Sequence, residues 1–140
     1  MPVVTAVANA VTKPMPRMMS PKAHAVADYL VMGSMLLAGV FLWRRNPRAA
    51  VGALACAGAE LAINVLTDYP GGAARVISYR THGKMDIGLA AMMATMPEFM
   101  GFQDEKERKF FLGAAGAVTA VANLTDFRPR IVRSIRRRSA

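Results

Sequence analysis

Ser20-Pro21-Lys22-Ala23-His24-Ala25-Val26-Ala27-Asp28 returns 58 residues later as Ser78-Tyr79-Arg80-Thr81-His82-Gly83-Lys84-Met85-Asp86. The register holds without a gap from Ser20 to Tyr69 against Ser78 to Phe127, and both copies close alike, on Leu66-Thr67-Asp68-Tyr69 and Leu124-Thr125-Asp126-Phe127. Thirteen of the fifty aligned positions are identical. An apolar composition yields chance matches of Ala and Leu, but it does not align two His, four Asp and two Thr. The chain therefore carries a tandem duplication.

Each copy has the length and punctuation of a helix pair. Ser20 before Pro21, Asn46 before Pro47 and Asp104 before Glu105 place capping side chains ahead of first-turn residues. Pro70-Gly71-Gly72 and Arg128-Pro129 end the second and fourth helices, and Pro97 ends or kinks the third. The expected helices are 21–44, 47–68, 81–97 and 105–127, with a short amphipathic segment over Ala73 to Ser78 and no strand signal. This divides the chain into an N-terminal mobile arm (1–19), a first helix pair (20–69), a connection (70–77), a second helix pair (78–127) and a basic tail (128–140).

Composition turns the reading toward a bilayer. Apolar residues make up 54% of the 140 residues, and the stretch Ala25 to Trp43 contains one charge, Asp28, as Ala49 to Leu66 contains only Glu60. Both approach the length a membrane crossing requires. Phe110 to Thr125 is uncharged, whereas a crossing from Met85 to Phe102 must include Asp86 and Glu98. Mean hydropathy is only +0.26, which keeps a soluble helical bundle as the competing architecture. The repeat decides between them, because it pairs the doubtful third segment with the convincing first. The expected fold is an all-α integral membrane four-helix bundle, two helix pairs related by a pseudo-twofold axis along the membrane normal.

Orientation follows from the basic residues. With an even number of crossings, the arm, connection and tail share one face and carry twelve Lys and Arg, against six on the other face. The positive-inside rule puts both termini in the cytoplasm and the chain in the inner membrane. A net charge of +9 without aromatic interleaving or a base-reading motif does not indicate nucleic acid. Arg133, Arg136, Arg137 and Arg138 in the tail are assigned to anionic lipid headgroups. No leader segment is read in residues 1–19, and Cys56 is assigned to packing.

The chemistry is confined to polar residues in apolar surroundings. His24, Asp28, His82 and Asp86 begin their helices on the face where Asp68 and Asp126 end theirs, giving a polar layer of six groups at one end of the bundle. Four-residue spacing sets each His and its Asp on one helix face. The layer reads first as a structural lock between helices. A metal site, symmetric haem ligation by the two histidines, and proton or ion movement are the alternatives. No metal or other cofactor is assigned, because no further ligand signature accompanies the pairs. Glu60 stands apart: its counterpart is Val118, and Asn64 lies one turn along. An acid near the bilayer centre marks transport, or a neutral group bonded to Ser34 or Thr119.

Two further patterns read as packing. Ala55, Ala59 and Ala62 match Gly113, Ala117 and Ala120 as a small-residue stripe, and Met92, Met96 and Met100 fill a core. The plan resembles that of small bacterial membrane proteins with two-helix repeats such as the SPW-repeat group, although Ser20-Pro21-Lys22 and Ser78-Tyr79-Arg80 lack the Ser-Pro-Trp signature, and membership is not assigned. No nucleophile elbow or triad is present. The expected function is a structural or accessory subunit of a membrane assembly without catalysis of its own, in contact with lipid and with other membrane proteins or itself. A proton-linked carrier using Glu60 and the polar layer, and a metal- or haem-binding redox protein, are the alternatives.

Overall fold

The structure, a computed structural model, describes residues 16–128. It is all-α, with four helices and no strand among the described residues: α1 Pro21–Leu42, α2 Pro47–Leu66, α3 Tyr79–Phe99 and α4 Glu107–Leu124. Helices α1 and α2 form one hairpin and α3 and α4 the other, with α2 against α3 and α1 against α4 joining them. Two starts are capped as expected and a third where no cap was named: the side chains of Ser20, Asn46 and Ser78 accept from the backbone N–H of Ala23, Ala49 and Thr81, each at 3.2 Å, so the third helix starts at Tyr79 and not at residue 81.

The fourth start differs. Asp104 caps nothing, α4 begins at Glu107, and the neighbouring Glu105 instead accepts from Asn46 Nδ2 and from Arg48. Helix α3 also runs through Pro97, which is buried, to Phe99. A proline without an amide hydrogen leaves the Met93 carbonyl without its usual partner, yet the next turn closes through Met100 N to Met96 O at 2.9 Å.

At the other end both hairpins are tied by the same device. Met19 N donates to Leu124 O at 3.0 Å, and 58 residues on, Ile77 N donates to Leu66 O at 2.8 Å. Each satisfies a terminal helix carbonyl that would otherwise lack a partner. The segment before one hairpin thus closes the end of the other, and Ala73 to Ser78 forms no helix. Gly72 makes the turn possible: a Cβ there would sit 1.7 Å from the Thr67 carbonyl oxygen.

The far half of the bundle is an apolar core in which Met35, Met93, Phe102 and Phe111 are fully buried and the two phenyl rings lie 5.1 Å apart. Met96 is buried, Met92 and Met100 pack against this core, and Cys56 is enclosed within it. The small-residue stripe is not where it was expected. Ala55, Ala62, Gly113 and Ala117 are exposed and Ala59 and Ala120 half-buried, because the inner face of α2 runs through Ala53, Cys56, Ala57, Glu60 and Asn64. Ala55 is one residue, about 100° of helix rotation, from that face. Close helix approach comes instead at Gly39, where a Cβ would meet Leu54 at 2.5 Å.

Candidate functional site

The near half of the bundle is polar inside. His24 and Asp28 on α1, and His82 and Asp86 on α3, converge between the hairpins, all four buried and both imidazoles with 0% exposure. The two Nε2 atoms are 3.1 Å apart. His24 Nε2 lies 3.3 Å from Asp28 Oδ2 and 3.3 Å from Asp86 Oδ2, and His82 Nε2 lies 3.2 Å from Asp28 Oδ2 and 3.2 Å from Asp86 Oδ1. Each histidine therefore faces both carboxylates, its own and that of the other repeat.

The opposite ring nitrogens fix the tautomer. His24 Nδ1 is 2.8 Å from Thr125 Oγ1, whose proton is committed to Val121 O at 2.7 Å. His82 Nδ1 is likewise 2.8 Å from Thr67 Oγ1, which donates to Ile63 O at 2.6 Å. A hydroxyl has one hydrogen, and a carbonyl oxygen only accepts. The threonines must then accept from Nδ1–H, so the lone pair of each neutral imidazole is on Nε2. Two nitrogen lone pairs and two carboxylates thus point at one another in a buried interior with no donor among them. A metal cation at their centre, or a proton taken up by a ring nitrogen or a carboxylate, turns this repulsion into attraction.

The spacing suits a metal. Tetrahedral coordination with metal–ligand bonds near those of zinc puts neighbouring ligand atoms about 3.3 Å apart. The five contacts above span 3.1 to 3.3 Å, with Asp86 meeting each histidine through a different oxygen, and one ligand atom from each of the four residues lies within 4.8 Å of the others. Two carboxylates and a divalent ion sum to zero charge, the least costly state for a buried cluster. Two neutral imidazoles with two carboxylates suit zinc, iron(II) or manganese(II) better than copper(I). Haem does not fit: axial imidazoles on one iron need Nε2 atoms about 4 Å apart with a macrocycle between them, and here the carboxylates occupy that place.

Aromatic rings seal the layer. Tyr69, Tyr79 and Phe127 have ring centroids 6.3, 5.7 and 5.2 Å from that of His24. Tyr69 donates to Asp28 Oδ2 at 3.2 Å, and burial together with the Asp28 charge pushes its hydroxyl well above the ordinary phenol range, so it remains a donor. Its repeat counterpart, Phe127, has no hydroxyl to offer, and Asp86 Oδ2 is left without a hydrogen-bond donor.

Two members of the expected layer are elsewhere. Asp68 is exposed and pairs with Arg75 at 3.3 Å, and Asp126 pairs with Arg128 at 3.1 Å. The helices stop at Leu66 and Leu124, two to three residues earlier than expected, and the extended backbone at Thr67 and Thr125 turns the threonines inward and leaves Asp68 exposed and Asp126 half-buried. The threonines were the members missed. Their signal is the identity of both between the repeats, beside an equally identical aspartate.

Glu60 and Asn64 are buried on the α2 face leading to Thr67, and the charges of Asp28 and Asp86 act on Glu60. Neither proposed partner reaches it: Ser34 donates to Val31 O and Thr119 to Ala115 O. Glu60 Oε2 and Asn64 Nδ2 have no hydrogen-bond partner. On α4 the corresponding positions are Val118 and Ala122, so the polar approach exists on one side only. Arg133, Arg136, Arg137 and Arg138 lie outside the described residues. No protein family, curated protein or solved structure matches this chain.

Proposed function

We propose that this chain is a small helical membrane protein in which one divalent metal ion, held by His24, Asp28, His82 and Asp86, joins two duplicated hairpins. The observation that carries the reading is the pair of histidine Nε2 atoms 3.1 Å apart, each with its lone pair turned inward by a threonine and each facing two carboxylates. All four ligands come from the protein, as in sites where the ion holds structure together. The role is that of a metal-stabilised structural or accessory component of a membrane assembly, without catalysis of its own.

Membrane insertion is supported by the distribution of apolar surface. Helices α1 and α2 are long and apolar enough to cross a bilayer. Leu30 and Phe41, 69% and 77% exposed, project outward from α1 while acids, amides and histidines fill the interior. In the proposed arrangement α3 and α4 complete a bundle in the inner membrane, with the pseudo-twofold along the membrane normal and both termini cytoplasmic. A second reading, a proton-linked carrier, is favoured by the unpartnered Glu60 and Asn64 atoms beside the site.

The test is elemental analysis of protein purified in mild detergent without chelator. One divalent ion per chain is expected in the wild type and none in His24→Ala or Asp86→Asn. Wild-type protein with no metal, and a melting temperature indifferent to chelator, would overturn the site. Removal of the chain from membranes by carbonate wash would separately overturn insertion, and a reporter fused after Ala140 on the far side of the membrane would overturn the cytoplasmic placement of both termini.

A further inference from the structure

The repeat relates not only the buried ligands but also two surface hollows at their end of the bundle. One, about 550 Å³, is walled by Lys22, Ala25, Val26, Tyr29 and Pro70 among others. The other, about 380 Å³, includes Arg80, Gly83, Lys84, Ile87 and Arg128. An offset of 58 converts these five positions of the first into the five of the second, although Leu30 and Gly71 of the first and Ala122, Asn123 and Phe127 of the second have no counterpart in the other lining. They are one cleft, duplicated.

The copies have diverged in charge. Lys22 is the only cation of the first hollow, whose wall is otherwise apolar. In the second, Lys84 stands where the first repeat has Val26, Arg128 stands where it has Pro70, and Arg17 is added from the segment ahead of α1. Four basic side chains therefore surround one hollow. Asp126 offsets one of them, accepting from the Arg128 guanidinium at 3.1 Å and from its backbone N–H at 3.2 Å. Among the described residues, Arg17, Arg80 and Lys84 pair with no carboxylate. Three unbalanced like charges around one cavity repel one another unless an anion lies between them.

The wall below the cations is apolar. Phe127 lies so close over Gly83 that a Cβ there would meet its ring at 2.8 Å, and Ile87, half exposed on α3, continues the apolar surface outward. A cationic mouth above an apolar wall matches a phosphate diester whose acyl chains run along the helix. We propose that this pocket binds the phosphate of an anionic glycerophospholipid, with Arg17, Arg80 and Lys84 as its counter-charges. The proposal rests on the membrane reading above and is independent of the metal.

The test is native mass spectrometry of the detergent-purified full chain, titrated separately with phosphatidylglycerol, phosphatidylcholine and inorganic phosphate. Phosphatidylglycerol is expected to bind about tenfold or more tighter than phosphatidylcholine, and Arg80→Gln/Lys84→Gln to abolish the difference. Lys22→Gln, in the sister hollow, is expected to retain it. Arg17→Gln, outside the helices, is expected to reduce it without disturbing the fold, which keeps the test open if the double variant does not fold. An undiminished preference in the folded double variant or in Arg17→Gln, or no preference in the wild type, overturns the proposal. Inorganic phosphate bound as tightly as the lipid and lost in the same variants would make this a free-phosphate site and equally overturn it. Carbonate washing separates the two levels: release of the wild-type chain defeats the membrane reading, and a retained chain without lipid preference defeats the pocket alone.

Discussion

Thr67→Val is the sharpest test of the metal centre, because it removes one hydroxyl three bonds from any ligand and changes no charge. In the native site the Thr67 hydroxyl passes its proton to Ile63 O and accepts from His82 Nδ1–H at 2.8 Å. Valine is nearly isosteric but accepts nothing, so it strands a buried N–H and frees the imidazole to adopt the tautomer that cannot bind the ion. An unpartnered buried donor costs about 1–3 kcal/mol. Loss of a partner behind a metal-bound histidine weakens metal affinity about 10–100-fold, or about 1.4–2.7 kcal/mol. The two estimates agree.

The assay is competition with a chromophoric zinc chelator in detergent, with melting curves recorded with and without metal. Thr67→Val and Thr125→Val should each weaken zinc binding within that range, since the two sites are repeat-related. Thr67→Ser, which keeps the hydroxyl, should bind within a few-fold of wild type. Asp68→Asn, at an exposed position paired only with Arg75, should change neither affinity nor melting. Wild-type zinc affinity in Thr67→Val would refute the tautomer argument, and a lowered melting temperature with unchanged affinity would reduce the threonine to a packing role.

Gly72→Ala should destabilise the fold by about 1–3 kcal/mol, because its methyl would displace the Thr67 carbonyl; an unchanged melting temperature would mean the turn relaxes freely. Glu60→Gln keeps shape and should leave metal content at one ion per chain with little change in melting, whereas loss of the ion would place Glu60 among the ligands. Loss of proton or ion flux in reconstituted Glu60→Gln vesicles, with metal and fold intact, would favour the carrier reading. For the metal itself, saturating the site at about one hundred times Kd should raise stability by about 2.7 kcal/mol over the stripped protein, and chelator should reverse that gain.

The sequence by itself determined the duplication, the four helices, two of their caps, and the meeting of His24, Asp28, His82 and Asp86 at one end of the bundle. These are local or periodic properties: a capping side chain acts within one turn, and an exact 58-residue register sends equivalent residues to equivalent places. What only tertiary structure decided were the last residues of α2 and α4 and everything that follows from them. Where a helix stops depends on which partner takes its final carbonyls, and here those partners are Met19 and Ile77, each remote from the helix end it closes or folded back upon it. That choice turned Thr67 and Thr125 inward, left Asp68 exposed and held Asp126 half-buried against Arg128. Only the packing of the two hairpins set the distances within the polar layer, with each imidazole facing the carboxylate of the other repeat at 3.2 to 3.3 Å. The same dependence on neighbours moved the small-residue contact from Ala55 to Gly39 and left Glu60 beyond the reach of Ser34 and Thr119. Spacing along one helix fixes a face, but only the packing of its neighbours decides which face is turned inward.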